Sequence, residues 1–175
     1  MTDLIVDNEF KSLIPPLIDE EFKQLEENIL HDGIREPLTV WNGILIDGHN
    51  RYEIAQTHGL EFTTVEMQFN SRDDVKIWIA DNQFGRRDLT AYERSVLALK
   101  LKPLFAKKAK ENQGERTDLL QNSAESSRPI DTRQELAKKA GVSHDTIAKV
   151  EKIEAQATPE VKAALKAGEI SINSD

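Results

Sequence analysis

The residues best placed to do chemistry in this 175-residue chain are Asp47, Gly48, His49, Asn50 and Arg51. A hydrophobic run, Gly43-Ile44-Leu45-Ile46, leads straight into them, so they fall where a strand hands over to a helix. Glycine at such a turn lets a phosphate approach the backbone. The first turn of the following helix presents N–H groups that have no intrahelical acceptor, and its dipole favours an anion. Arg51 adds a guanidinium able to clamp phosphate oxygens. A plain turn in which Asp47 caps the helix would use the same residues. A second polar group is Asp81-Asn82-Gln83-Phe84-Gly85-Arg86-Arg87-Asp88. Here Asp81 and Asn82 offer hard oxygen ligands suited to Mg2+, and Arg86 and Arg87 can meet phosphates. A solvated, charged helix end accounts for this group equally well.

A third pattern, Thr132 to Ile153, reads as a helix-turn-helix at 132–153. Leu136, Ala137 and Ala140 line one face of a first helix, and Gly141 supplies the turn residue that tolerates positive φ. Val142 plugs the angle between the helices and Ser143 is placed to cap the second. Ile147, Val150 and Ile153 recur at helical spacing along its inner face. This leaves Ser143, His144, Asp145, Thr146 and Lys149 at its outer start, where short or polar side chains can meet base edges or phosphates. A helical hairpin inside an ordinary core would show the same apolar stripe. The small residue at the crossing, the glycine and the apolar plug together favour DNA.

The elements that must carry these groups differ along the chain. Residues 1–85 hold 17 Asp and Glu against 6 Lys and Arg, a net of −11, whereas residues 86–175 hold 14 against 17, a net of +3. An acidic front with one job and a mildly basic, DNA-contacting rear fit that asymmetry. In the front, residues 19–31 predict a helix with Asp19 as N-cap and Gly33 as its stop. Residues 38–41, Asn42-Gly43 and 44–46 predict a β-hairpin. A helix over 50–58, a strand over 61–69 and a helix over 73–82 follow. In the rear, Thr90 and Glu93 predict the start of a helix that Pro103 kinks or interrupts. Residues 109–130 read as a flexible connection. A last helix starts at Thr158-Pro159, packs through Val161 and Leu165, and ends at Gly168. The polar stop after residue 173 suggests a further C-terminal part. The chain has no cysteine, which excludes disulfides, thiolate metal sites and cysteine nucleophiles. No apolar run approaches the ~20 residues needed to span a bilayer, so no membrane partner and a cytoplasmic, nucleoid-associated location are expected.

In order and spacing these segments resemble the ParB partition-protein family. Its N-terminal domain, shared with sulfiredoxin, carries a G-L/I-x-x-P-L/I loop, a G-E-R-R-x-x-A box and an E-N-x-Q-R box. Here the loop is Gly33-Ile34-Arg35-Glu36-Pro37-Leu38, the second box runs from Gly48 to Ala55, and the third runs from Asp81 to Arg87. Asp88-Leu89-Thr90-Ala91-Tyr92-Glu93 looks like the family's D-L-x-x-x-E, and Thr158-Pro159-Glu160-Val161 and Gly168-Glu169-Ile170-Ser171 also match family segments. The resemblance implies an α+β fold, a small mixed ParB/sulfiredoxin-like domain over 1–88 followed by an all-α DNA-binding domain over 89–175. It also implies a homodimer acting as a CTP-regulated DNA clamp, in partition or a mobile element, possible slow CTP hydrolysis and a partner ATPase. By position, Gly48, His49, Asn50, Arg51, Arg86 and Arg87 would hold the nucleotide, Asn82 the Mg2+, and Asp81 would be the catalytic acid. The second box departs from the pattern, with His49 for the glutamate and Asn50 for the first arginine. Two other readings use the same residues. One is a transcription regulator whose front domain has lost nucleotide binding. The other is a small-molecule kinase of the same superfamily, with Asp47 or His49 as base, fused to a DNA reader. Sulfiredoxin chemistry is excluded, since no thiol is present.

Overall fold

The computed structural model describes residues 3–85, 89–115 and 132–173, with the backbone alone at 108 and 111–115. The fold is α+β, and the chain divides into two compact units, Met1–Ile79 and Ala80–Asp175. The expected boundary at residue 88 lies outside the described residues.

The first unit is built on a three-stranded sheet of order β2-β1-β3. Strands β1 (Leu38–Trp41) and β2 (Ile44–Asp47) form the expected antiparallel hairpin. Both turn residues, Asn42 at φ 50° and Gly43 at φ 75°, have the positive φ that a tight primed turn requires. Strand β3 (Thr64–Glu66) runs parallel to β1 and is shorter than the 61–69 stretch that alternation suggested. All three of its residues are exposed, so no buried face holds the rest of the run in the ladder. Ile5 bridges to Ile44 on the opposite edge. Leu38, Val40, Leu45 and Tyr52 form a core patch, against which Leu4 and Phe62 pack.

Around the sheet lie α1 (Asn8–Lys11), α2 (Asp19–Asp32), α3 (His49–His58) and the first part of α4 (Arg72–Phe84). Asp19 is not the cap of α2. It is the first helical residue, and the Ile18 N–H is satisfied instead by the Glu21 carboxylate at 3.2 Å. Gly33 ends α2 at φ 76°, and Gly59 ends α3 in the left-handed region.

The second unit is helical: the end of α4, α5 (Ala91–Glu115), α6 (Thr132–Ala140), α7 (His144–Gln156) and α8 (Pro159–Lys166). Thr90 and Glu93 satisfy each other reciprocally at the start of α5: the Glu93 N–H donates to the Thr90 hydroxyl at 3.1 Å, and the Thr90 N–H to the Glu93 carboxylate at 2.9 Å. Pro103 does not interrupt α5, which stays helical through it to Glu115. Tertiary packing of the helix outweighs the one backbone bond that proline removes. Residues 109–115, expected in a flexible connection, are thus helical, and 116–131 lie outside the described residues. Val161 is 40% exposed, so α8 packs through Leu165 rather than through both. Leu165 joins Tyr92 and Val150 in the core, with Ile153 and Ile172 alongside.

Candidate functional site

Each unit carries one candidate site at the N-terminus of a helix. In the first unit, Leu45 and Ile46 are buried and pin β2 to the core, so the chain must turn sharply at Asp47-Gly48 to start α3. Gly48 does so at φ 93°, in the left-handed region. A Cβ there would lie 2.6 Å from Leu38 Cδ2, and 3.1–3.2 Å from the Arg51 guanidinium. A side chain there would be strained and would force Leu38 to shift. Gly48 is the N-cap of α3, with no side-chain cap bond, so the Asp47 cap expected for a plain turn is not made. The amides of His49, Asn50 and Arg51 are the first helical ones and have no intrahelical acceptor.

Asp47 binds Arg51 instead, whose Nη2 donates to Asp47 Oδ2 at 2.8 Å. Arg51 Nη1 donates to Glu36 at two points, the carboxylate Oε2 at 3.1 Å and the main-chain carbonyl at 3.2 Å. The first loop and the second box therefore meet on one guanidinium, a contact that sequence spacing did not reveal. Beside the start of α3 a cavity of about 580 Å³ opens, lined among others by Lys11, Lys23, Phe22, His49 and Asn50. His49 is buried, and among the described residues neither ring nitrogen finds a hydrogen-bond partner. Burial pushes its pKa down to about 4, with Lys11 adding to the shift and Asp47 opposing it. The imidazole is thus neutral near pH 7. Of the two groups named as base in the kinase reading, Asp47 pairs with Arg51 and His49 has its pKa lowered by burial.

The donor set fits an anion at the α3 N-terminus, since open amides, a glycine and an arginine converge there. A preformed metal cage is another matter. Among the described residues no group of three or more His, Cys, Asp or Glu is arranged to hold a metal ion. Asp81 and Asn82 lie near the end of α4, in the second unit, and both are exposed. Asp81 forms an ion pair with Lys139 of α6, whose Nζ also lies 6.0 Å from the Phe105 ring centre. The expected acid is therefore paired with a lysine of α6. Arg86 and Arg87 lie outside the described residues.

In the second unit, α6 and α7 are two helices joined by a tight turn at Gly141, as the spacing predicts. Leu136, Ala137, Ala140, Ile147 and Val150 are all buried, and Gly141 turns at φ 65°. The half-buried Val142 follows, its N–H donating to the Ala137 carbonyl at 3.0 Å. Ser143 caps α7, its hydroxyl accepting from the Thr146 N–H at 3.1 Å and lying 2.9 Å from the Thr146 hydroxyl. Thr146 is half-buried by this arrangement. His144 and Asp145 are the exposed pair at the helix start, their side chains 3.6 Å apart and Asp145 91% exposed. Lys149 donates to the Asn173 side-chain carbonyl at 2.6 Å, a partner with no prior signal in the sequence. Behind this face, the Tyr92 hydroxyl donates to Glu154, and burial together with that bond raises the phenol pKa. No described helix is long and apolar enough to cross a membrane.

Two solved structures align with 97% of this chain. The C2221 form of a pNOB8-like ParB N-domain does so at 25% identity over 73% of its own length, with a TM-score of 0.63. The chain has the fold of a ParB N-domain. A second pNOB8-like ParB N-domain structure aligns at 20% identity over 68% of its length, with a TM-score of 0.60. No protein-family profile matches the sequence, and no curated protein does. The ParB-like fold therefore rests on shape and on the ordered boxes, beyond the reach of overall sequence similarity.

Proposed function

We propose that this protein is a sequence-specific DNA-binding, ParB-like protein of a partition or mobile-element system, regulated by CTP. The observation that carries the DNA half is the helix-turn-helix: a buried apolar face, a left-handed Gly141 and a Ser143-capped helix that turns His144 and Asp145 outward. The uncapped α3 N-terminus beside Gly48 and Arg51 supports the nucleotide half, and the order of the three boxes points to CTP. The protein acts on nucleoid DNA as a homodimer, with a partner ATPase in the same system. Mg2+ would arrive with the phosphates, which together with water supply its ligands. Slow hydrolysis through Asp81 would first require its carboxylate to leave Lys139.

A specific observation favours the runner-up, a regulator without nucleotide: Arg51 is already engaged by two carboxylates. Titrating the protein with CTP, ATP and ADP, with and without a selected DNA site, separates the readings. A signal for CTP alone supports the clamp, and DNA binding with no nucleotide signal supports the regulator. On the DNA side, His144→Ala should cost roughly 1–3 kcal/mol on the selected site only. Lys149→Ala should weaken all sequences alike and lower the salt slope by about one. Unchanged binding in both variants would remove α7 from the interface.

A further inference from the structure

Arg51 is the cation on which the phosphate reading depends, and its two acidic partners are held very differently. The Asp47 contact is the shorter, and the Asp47 side chain is 36% exposed at the end of β2. The Glu36 side chain is 84% exposed and belongs to a loop. The Glu36 main-chain carbonyl binds the same Nη1 independently. If the Glu36 carboxylate swings away, the guanidinium thus stays in place, fixed by Asp47 and by that carbonyl. Two carboxylates on one guanidinium leave a local charge of −1 beside a helix N-terminus that favours anions. The carboxylate on Nη1 occupies a donor that a phosphate oxygen would use.

Resting on the nucleotide reading above, we propose that Glu36 is a displaceable stand-in for phosphate: an incoming polyphosphate exchanges with its carboxylate on Arg51, and Glu36 thereby sets the affinity of the cradle. Exchange at this pair needs little energy, because the Glu36 carboxylate is largely in solvent and regains side-chain freedom when released. The residual negative charge still opposes a highly charged ligand, and that opposition fades as salt rises.

Isothermal titration of the full chain with CTP and with inorganic tripolyphosphate tests this. The proteins compared are the parent, Glu36→Gln, Glu36→Ala and Arg51→Ala, each first checked for an unchanged circular dichroism spectrum. Both Glu36 variants should bind both probes about threefold to tenfold more tightly at low salt, with the gain shrinking at high salt. Arg51→Ala should lose binding. Glutamine keeps the size of glutamate and alanine removes it, so agreement between the two assigns the effect to charge. If the parent binds and neither Glu36 variant binds more tightly, the displacement proposal is overturned while the phosphate site stands. If no folded form binds either probe, the phosphate site itself is wrong and the proposal falls with it.

Discussion

The two helices that carry the candidate sites begin differently. At α7 the hydroxyl of Ser143 takes up the Thr146 amide, so the helix supplies its own cap and the His144 and Asp145 side chains stay exposed. At α3 no side chain takes that place, and Gly48 brings the backbone into a position where a Cβ would crowd Leu38. A helix capped from within offers side chains to a partner, and one left uncapped offers its backbone. The first arrangement suits the varied edges of bases, the second a phosphate, whose oxygens are the same in every nucleotide.

The contrast is broken most forcefully at the glycine. Gly48→Ala should destabilise the first unit by about 2–4 kcal/mol, through left-handed strain and the collision with buried Leu38. Urea unfolding followed by Trp fluorescence measures it, and a change below about 0.5 kcal/mol would show that the turn is not glycine-specific. Next in size is the effect of pH through His49. Its folded pKa lies near 4, below the ordinary 6.5, so the unfolded chain binds more protons between those values. The stabilisation is complete above about pH 6.5 and is lost as pH falls towards 4, by roughly 2–3 kcal/mol. His49→Gln should flatten stability against pH across that window, whereas an unchanged slope would assign it to other groups. Asp7 and Glu9, whose pKa values are lowered by Arg72 and Lys76, lose their contribution only at more acidic pH. The smallest effect belongs to the capped helix: Ser143→Ala should cost about 1 kcal/mol in the second unit.

Local rules made much of this legible. The Asn42-Gly43 hairpin, the Gly33, Gly59 and Gly141 stops, the Thr90–Glu93 box and the Ser143 cap each depend on residues within a few positions of one another, and all are present. What escaped depends on partners far along the chain. Glu36 reaches Arg51 across 15 residues and Lys149 reaches Asn173 across 24, neither with any periodic signature. The pairing of Asp81 with Lys139 has no signal near Asp81 in the sequence. The interruption that Pro103 suggests does not occur, because packing of the whole helix decides whether α5 continues. The uncapped turn at Gly48 was visible as a glycine after a strand. The pairing of Asp47 with Arg51 rather than with the helix amides was not, because one aspartate can do either.

The first unit also sets a timetable for the newborn chain. The Leu4 amide rests on the Tyr52 hydroxyl at 3.1 Å, β1 waits for the parallel β3, and Arg72 reaches back 65 residues to Asp7 at 2.8 Å. Such long-separation closures are slow to form, in contrast to the nearest-neighbour helices of the helix-turn-helix. During synthesis, at about 5–20 residues per second, the N-terminal strap stays without its mates for several seconds. Leu4, which packs against the core patch, waits over that interval, and the first unit becomes whole only after α4 begins to emerge.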